Sequence, residues 1–148
     1  MTLPEDLAAP GSVFIDTAPI IYYLQAHPEF GSLAREAVVA CLSGNIRAYS
    51  SVLTITEVLT KPIASNDRAL AQKFAEFLKH SKYLTLIDIT EGIVETAGNL
   101  RGHYSFLKTI DALQIASALD VGAGAFLTND AKLRNIKELT IIVLKDYL

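Results

Sequence analysis

The chain is predicted to fold as an α/β domain around a largely parallel sheet, and three observations predict it. Short β-branched or aromatic runs alternate with longer segments of helical period, the pattern of strands joined by crossover helices. The 148 residues are 51% apolar, enough to bury the core of one ordinary domain and too few for two comfortable ones. Charged residues make up 20% and the formal net charge is −3, which argues against a disordered chain and against a broad polycationic nucleic-acid surface.

The elements follow in order. Val13 to Ile15 (VFI) is the first strand, and Pro19, just after Thr17, suits the first turn of a helix. Gly31 to Leu42 (GSLAREAVVACL) reads as a second helix, stopped by Ser43-Gly44. A strand from Arg47 to Leu53 precedes a short helix that begins near Thr54 and ends at Pro62, where the ladder of amide donors is broken. Asp67 to Lys79 places Leu70, Phe74, Phe77 and Leu78 on one face; Ile93, Val94, Ala97 and Leu100 do the same for the next helix, after a third strand at Leu84 to Ile89. Thr109 to Leu119 (TIDALQIASAL) is a further helix, leaving through the glycine-containing turn Val121 to Gly124. Ala125 to Leu127 and Thr140 to Leu144 complete five strands, with no internal repeat, low-complexity segment or linker.

A lone Cys41 in the apolar context AVVACLSG is expected to be a buried, inert thiol, which fits a reducing cytoplasm. The opening MTLPEDLAAPGS lacks the basic and apolar regions of a signal peptide, and no apolar run approaches the length of a membrane span. A soluble, cytoplasmic protein without membrane contact is the expectation.

Most acids fall on solvated helix faces, but Asp16, Glu57, Asp111 and Asp130 lie just beyond strands or at helix starts. In an open α/β sheet, ligands collect outside the carboxyl ends of the strands, near the point where strand order reverses. Four carboxylates converging there repel one another unless cations sit between them. With no His or Cys cluster to select zinc, hard Mg²⁺ or Mn²⁺ is the natural candidate. Each acid also has a local explanation. Asp16-Thr17 suits turn and cap chemistry, Thr54-Ile-Thr-Glu57 matches a capping box, Asp111 suits a first helical turn, and Asp130 could cap the helix after it. Capping does not explain why Asp16 follows VFI and Asp130 follows FLTN at matching strand ends.

The segment RGHYSFLKT mixes cations and aromatics just before Asp111, so Arg101, His103, Tyr104 and Lys108 are candidates for gripping phosphates and bases; an ordinary solvated loop explains them equally. His27 and His80 have no partners at metal-binding spacing and read as surface residues, and Tyr22 and Tyr23 read as core packing.

The set FIDTAPIIYYL, SSVLTITEVL, TIDALQIASAL and FLTND resembles the PIN-domain family, and within it the VapC-type toxin ribonucleases. The resemblance runs from about Val13 to the C-terminus and keeps the order and separation of all four motifs. It implies a three-layer α/β/α sandwich with a parallel five-stranded sheet ordered 3-2-1-4-5 and a metal-dependent endonuclease acting on RNA, leaving 5′-phosphate and 3′-hydroxyl ends. Asp16, Glu57, Asp111 and Asp130 match the family's acidic positions, as catalytic and metal-binding residues, and Thr128 matches a small hydroxyl residue that orients the last acid or a bound water. It further implies a homodimer and a small antitoxin partner whose tail fills the groove. Two departures stand out: Ala18 replaces a polar residue common in relatives, and residues 1–12 form an N-terminal extension to a single unit spanning 1–148.

Ala18 also argues against a haloacid-dehalogenase phosphatase, which wants a second Asp two residues after Asp16. A receiver domain, with Asp88 as phospho-acceptor, lacks the expected pattern after that residue. A PIN-like scaffold that binds RNA or protein without cutting, and a stand-alone PIN nuclease without an antitoxin, remain the rival readings.

Overall fold

The computed structural model describes Met1–Leu148, apart from the side-chain surroundings of Gly44. Five parallel strands make one sheet: β1 (Ser12–Ile15), β2 (Arg47–Ser51), β3 (Leu84–Ile87), β4 (Ala125–Thr128) and β5 (Thr140–Val143), in the order β3-β2-β1-β4-β5. β1 is central, pairing Val13, Phe14 and Ile15 with Ala125, Phe126 and Leu127 of β4 and its other edge with β2. Its four residues are all buried, as expected of a strand covered on both faces.

The helices are α1 (Leu3–Ala8), α2 (Thr17–Leu24), α3 (Gly31–Ala40), α4 (Leu53–Ala64), α5 (Arg68–His80), α6 (Glu91–His103) and α7 (Thr109–Asp120). Alternation along the strands assigns them to two layers. Val13, Ile15, Ala125 and Leu127 pack with Ile20, Ala37, Val58, Phe74 and Leu78 of α2 to α5. Phe14 and Phe126 face the other way, stack with ring centroids 5.5 Å apart, and are covered by Ile93, Ala97, Leu100, Ala112 and Ile115 of α6 and α7. The three-layer α/β/α sandwich with sheet order 3-2-1-4-5 is therefore as the motifs implied.

Four local boundaries differ by two residues, each with a cause, and the other stated bounds agree to within one residue. β2 stops at Ser51 rather than Leu53, because the Ser51 hydroxyl accepts the Leu53 N–H at 3.2 Å and turns the chain into α4. β3 stops at Ile87 rather than Ile89, since Thr90 already caps α6 by accepting the Ile93 N–H. Pro62 does not end α4: the proline sits in the last turn, where the one lost donor costs little before the chain leaves through Ser65 and the left-handed Asn66. α3 ends at Ala40, where the Ser43 hydroxyl takes the exposed carbonyl at 2.6 Å, and a π-helical turn Cys41–Asn45 follows in place of the expected stop at Ser43-Gly44.

The opening residues hold an element that periodicity did not reveal. Thr2 and Glu5 form a reciprocal capping box, Pro4 lies in the first turn, and α1 buries Leu3 and Leu7 in the same core as β1 and α3. Tyr147, near the C-terminus, donates its hydroxyl proton to Asp6. After α1 the chain crosses close to β4: a Cβ at Gly124 would stand 2.6 Å from Pro10 Cβ and 2.7 Å from its carbonyl oxygen, so only glycine allows that approach. The arm is therefore part of the core. Leu7→Ala is expected to lose about 2–5 kcal/mol of unfolding free energy in a urea titration, the cost of an unfilled core site; a loss within about 0.5 kcal/mol, typical of a surface change, would show the arm to be dispensable.

Candidate active site

The sheet order reverses between β1 and β4, and the residues that leave the carboxyl ends of those two strands meet there. Pairing extends one residue past β1, since the Asp16 N–H donates to the Leu127 carbonyl at 2.9 Å. That bond fixes the Asp16 backbone against β4. The Asp16 carboxylate then takes the Thr17 N–H on Oδ1 and the Thr128 hydroxyl on Oδ2, both at 2.9 Å. Asp16 thus caps α2 and is held across the strand junction at once, so the local and the functional explanations of its position coexist.

Asp16, Glu57, Asp111, Thr128 and Asp130 all line one open cleft of ≈ 410 Å³, together with Thr17, Ala18, Ile21, Tyr22 and Asn129. Asp111 occupies the first turn of α7, and Asp130 caps a short 3₁₀ turn by accepting the Lys132 N–H at 3.0 Å. Glu57 is different. The capping box that its sequence suggested is not formed, because α4 begins at Leu53, the Thr54 hydroxyl points inward to Ser50 and Gln114, and Glu57 Oε1 instead accepts the Thr17 hydroxyl at 2.7 Å.

No ion pair among the described residues includes any of the four acids; the pairs present join His80 to Glu76 and Arg134 to Asp146. The electrostatic cost is visible in the acids themselves. Burial pushes the Asp16 carboxyl up to about 7, against the opposing hydrogen bonds from Thr17 and Thr128, with Asp111 and Glu57 adding to the rise. Asp111 is raised as well, first by burial and then by Asp130 and Glu57, while Lys108 pulls it back. A site of this kind lacks positive charge.

The donor set fits a hard divalent cation: carboxylates and hydroxyls, with no imidazole or thiolate. Among the described residues, no three His, Cys, Asp or Glu side chains stand close enough to hold an ion by themselves. That is the arrangement Mg²⁺ tolerates, because it retains several waters and takes only one or two carboxylates directly.

The residues of the α6–α7 connection lie outside this lining. Arg101 Nε donates to the Leu107 carbonyl at 3.1 Å and the Tyr104 hydroxyl donates to Glu138, so these two brace the loop, while His103 Nδ1 bonds to the Asn99 carbonyl within α6. Lys108 alone of the four acts on an acid of the cleft. Two other side chains are more engaged than their sequence context indicated. Tyr22 lines the cleft, stacks on Phe30 at 5.2 Å and accepts from Asn129, and His27 is half-buried with Nδ1 accepting the N–H groups of Glu29 and Phe30. Behind the acids lies a buried polar layer of Ser50, Ser51, Thr54 and Gln114 that sequence reading missed. Its only signal was a glutamine on the inward face of an otherwise apolar helix, three residues after Asp111.

The raised acids set a pH dependence. A carboxyl with a higher pKa folded than unfolded binds its proton more tightly when folded, so its contribution to stability is present at low pH and is lost as pH rises from about 4 through about 7. Metal-free protein is expected to lose stability over that window in urea titrations at successive pH values. Asp16→Asn should flatten the slope; an unchanged slope in that variant would remove Asp16 as its source.

The family model described as PIN domain matches residues 13–139. No curated protein matches the chain. Solved structures with the same fold include VapBC2 of Rickettsia felis bound to a promoter DNA fragment, at TM-score 0.69 and 20% identity, covering 89% of this chain and 98% of that one. A toxin-antitoxin complex from Klebsiella pneumoniae aligns at TM-score 0.67 and 22% identity over 88% and 96% of the two chains. VapC20 of Mycobacterium tuberculosis, a toxin that cleaves the sarcin-ricin loop, aligns at 0.63 and 14% over 77% and 86%. With most of its strands, all four acids and residues 13–139 of 148 inside the matched span, the chain belongs to the PIN-domain family.

Proposed function

We propose that the protein is a metal-dependent endoribonuclease and the toxin of a toxin-antitoxin pair. One observation carries the reading: four carboxylates from four parts of the chain share one cleft at the strand-order reversal, and among the described residues no cationic side chain forms an ion pair with them. Carboxyls raised by burial and further by one another are costly to keep, and such perturbed acids concentrate at sites with chemistry to perform. Mg²⁺ or Mn²⁺, when bound, supplies a Lewis acid for the phosphodiester and makes a bound water more acidic.

The chain's own residues divide the remaining work. Asp16 and Asp111, both half-buried and on rigid elements, serve as ligands, with Asp130 beside them. Thr128 holds Asp16 Oδ2, leaving Oδ1 as the oxygen shared with the helix cap. Glu57, exposed at the cleft rim and held on one oxygen by Thr17, has its second oxygen free to orient or deprotonate a water. Lys108 is placed to meet a phosphate near Asp111, while Arg101 and Tyr104 shape the loop that presents it and His103 stays bonded within α6.

The toxin-antitoxin character of the solved complexes supports a small antitoxin as partner, with a homodimer as the working assembly. A cationic side chain from such a partner would neutralise the cleft directly. No helix among the described residues is long and apolar enough to cross a membrane, and the proposed site of action is the cytoplasm.

Purified protein is expected to cut a mixed structured RNA pool with Mg²⁺ or Mn²⁺, leaving 5′-phosphates, and to be silent in EDTA. Asp16→Asn and Asp111→Asn should each reduce cleavage by at least about 10²-fold, more than losing a residue that merely supports a ligand. Intact folding with no cleavage in any metal would favour a PIN-like scaffold that binds RNA or protein without cutting.

A further inference from the structure

The buried layer behind the acids admits only one assignment of its protons. A carbonyl can only accept, so the Ser50 hydroxyl spends its proton on Ile15 O at 2.9 Å. The 2.8 Å bond between Ser50 and Thr54 must then be donated by Thr54. Thr17 spends its proton on Glu57 Oε1 at 2.7 Å. Both threonine oxygens are left as acceptors, and the 3.3 Å contact between them has no proton available.

Gln114 fills that need. Its Nε2 amide group donates to Thr54 Oγ1 at 3.0 Å and to Thr17 Oγ1 at 3.4 Å, and its Oε1 accepts from Ser51, whose own oxygen accepts the Leu53 N–H. A reversed amide would set its carbonyl against two hydroxyls whose protons are already committed. Gln114, Ser50, Ser51 and Thr54 have no exposed surface, so bulk water does not satisfy them and they bond to one another. The bonds run in one direction, from Leu53 N–H through Ser51, Gln114 and Thr17 to Glu57, and dipoles in series reinforce one another. α7 carries both Gln114 and Asp111 three residues apart, which ties the placement of Glu57 on α4 to that of Asp111 on α7.

We infer that Gln114 is a positioning residue: through Thr17 it sets where the Glu57 carboxylate stands, and so tunes the affinity of the acidic cleft for a divalent cation. The inference rests on the nuclease reading only in taking a divalent cation as what the cleft binds.

The test is Mn²⁺ titration calorimetry on the full chain, with folding of each variant checked. Gln114→Leu is expected to weaken Mn²⁺ binding about 10–100-fold, the usual effect of removing a hydrogen-bond partner that supports a cation site from behind; here it acts through Glu57 and the water that Glu57 holds. Thr17→Val should reproduce the loss without adding to it in the double variant. In a Glu57→Gln background, Gln114→Leu should have no further effect, which a purely structural role could not produce. Wild-type affinity in Gln114→Leu, or an equal loss with Glu57 already replaced, would overturn the inference. Side-chain amide NMR of the unsubstituted core gives a second readout if Gln114→Leu does not fold. The Gln114 amide signals should move in Glu57→Gln, and signals that stay in place would refute the relay. A wild-type chain that takes up no Mn²⁺ would sink the metal-dependent reading but not the relay, which the amide signals would then decide.

Discussion

The pairing of β1 with β4 is the constraint on which the rest of this structure depends. Running those strands in parallel, in a register continued by the Asp16 N–H bond to Leu127, brings the ends of two distant segments side by side. Thr128 can then reach Asp16, and the crossover helices start on the same side of the sheet, with Asp111 and Glu57 near their beginnings. A shift of one residue would turn Phe14 and Phe126 into the wrong layer and carry Asp16 away from Thr128. Core packing and site geometry are therefore set by the same register.

Gathering the acids works against folding, and the fold offsets the cost locally. Asp16 keeps two hydrogen bonds on its carboxylate, Glu57 keeps one, and Asp130 caps a turn. None of these removes the negative charge, and burial first, with the neighbouring acids adding to it, makes Asp16 and Asp111 hold their protons more tightly than ordinary carboxyls. Local conflict of this kind, in an otherwise consistent core, is characteristic of sites kept for function rather than stability. The buried hydroxyl and amide layer is the opposite case: every member is satisfied, and no buried polar side chain among the described residues lacks a partner. A satisfied network of that kind specifies one arrangement, whereas a partly satisfied one would weaken the core.

The N-terminal arm shows the same economy of position. Leu3 and Leu7 complete the apolar layer beneath α3, and the close approach of Pro10 to Gly124 anchors the arm where β4 begins, at the end of the sheet opposite the acids. Its signals were present in Thr2, Pro4 and Glu5, a capping box with proline in the first turn, but a six-residue helix is too short for periodicity to stand out.

The strands, the amphipathic helices and the four acids could be read directly, because period and residue type are local properties of the chain. Boundaries at Ser51, Ile87 and Ala40 could not, since a side-chain hydroxyl settles each one, and nor could the continuation of α4 past Pro62, which its place in the last turn permits. Nor could the partner of Glu57: its spacing from Thr54 matched a capping box, yet both side chains turned to partners 40 and 60 residues away, Thr17 and Gln114. The sequence by itself determined which groups could carry chemistry and at which strand ends they would lie. Only the tertiary structure decided which oxygens meet and which protons are committed, because hydrogen bonds between distant segments depend on register and burial that no single stretch of chain contains.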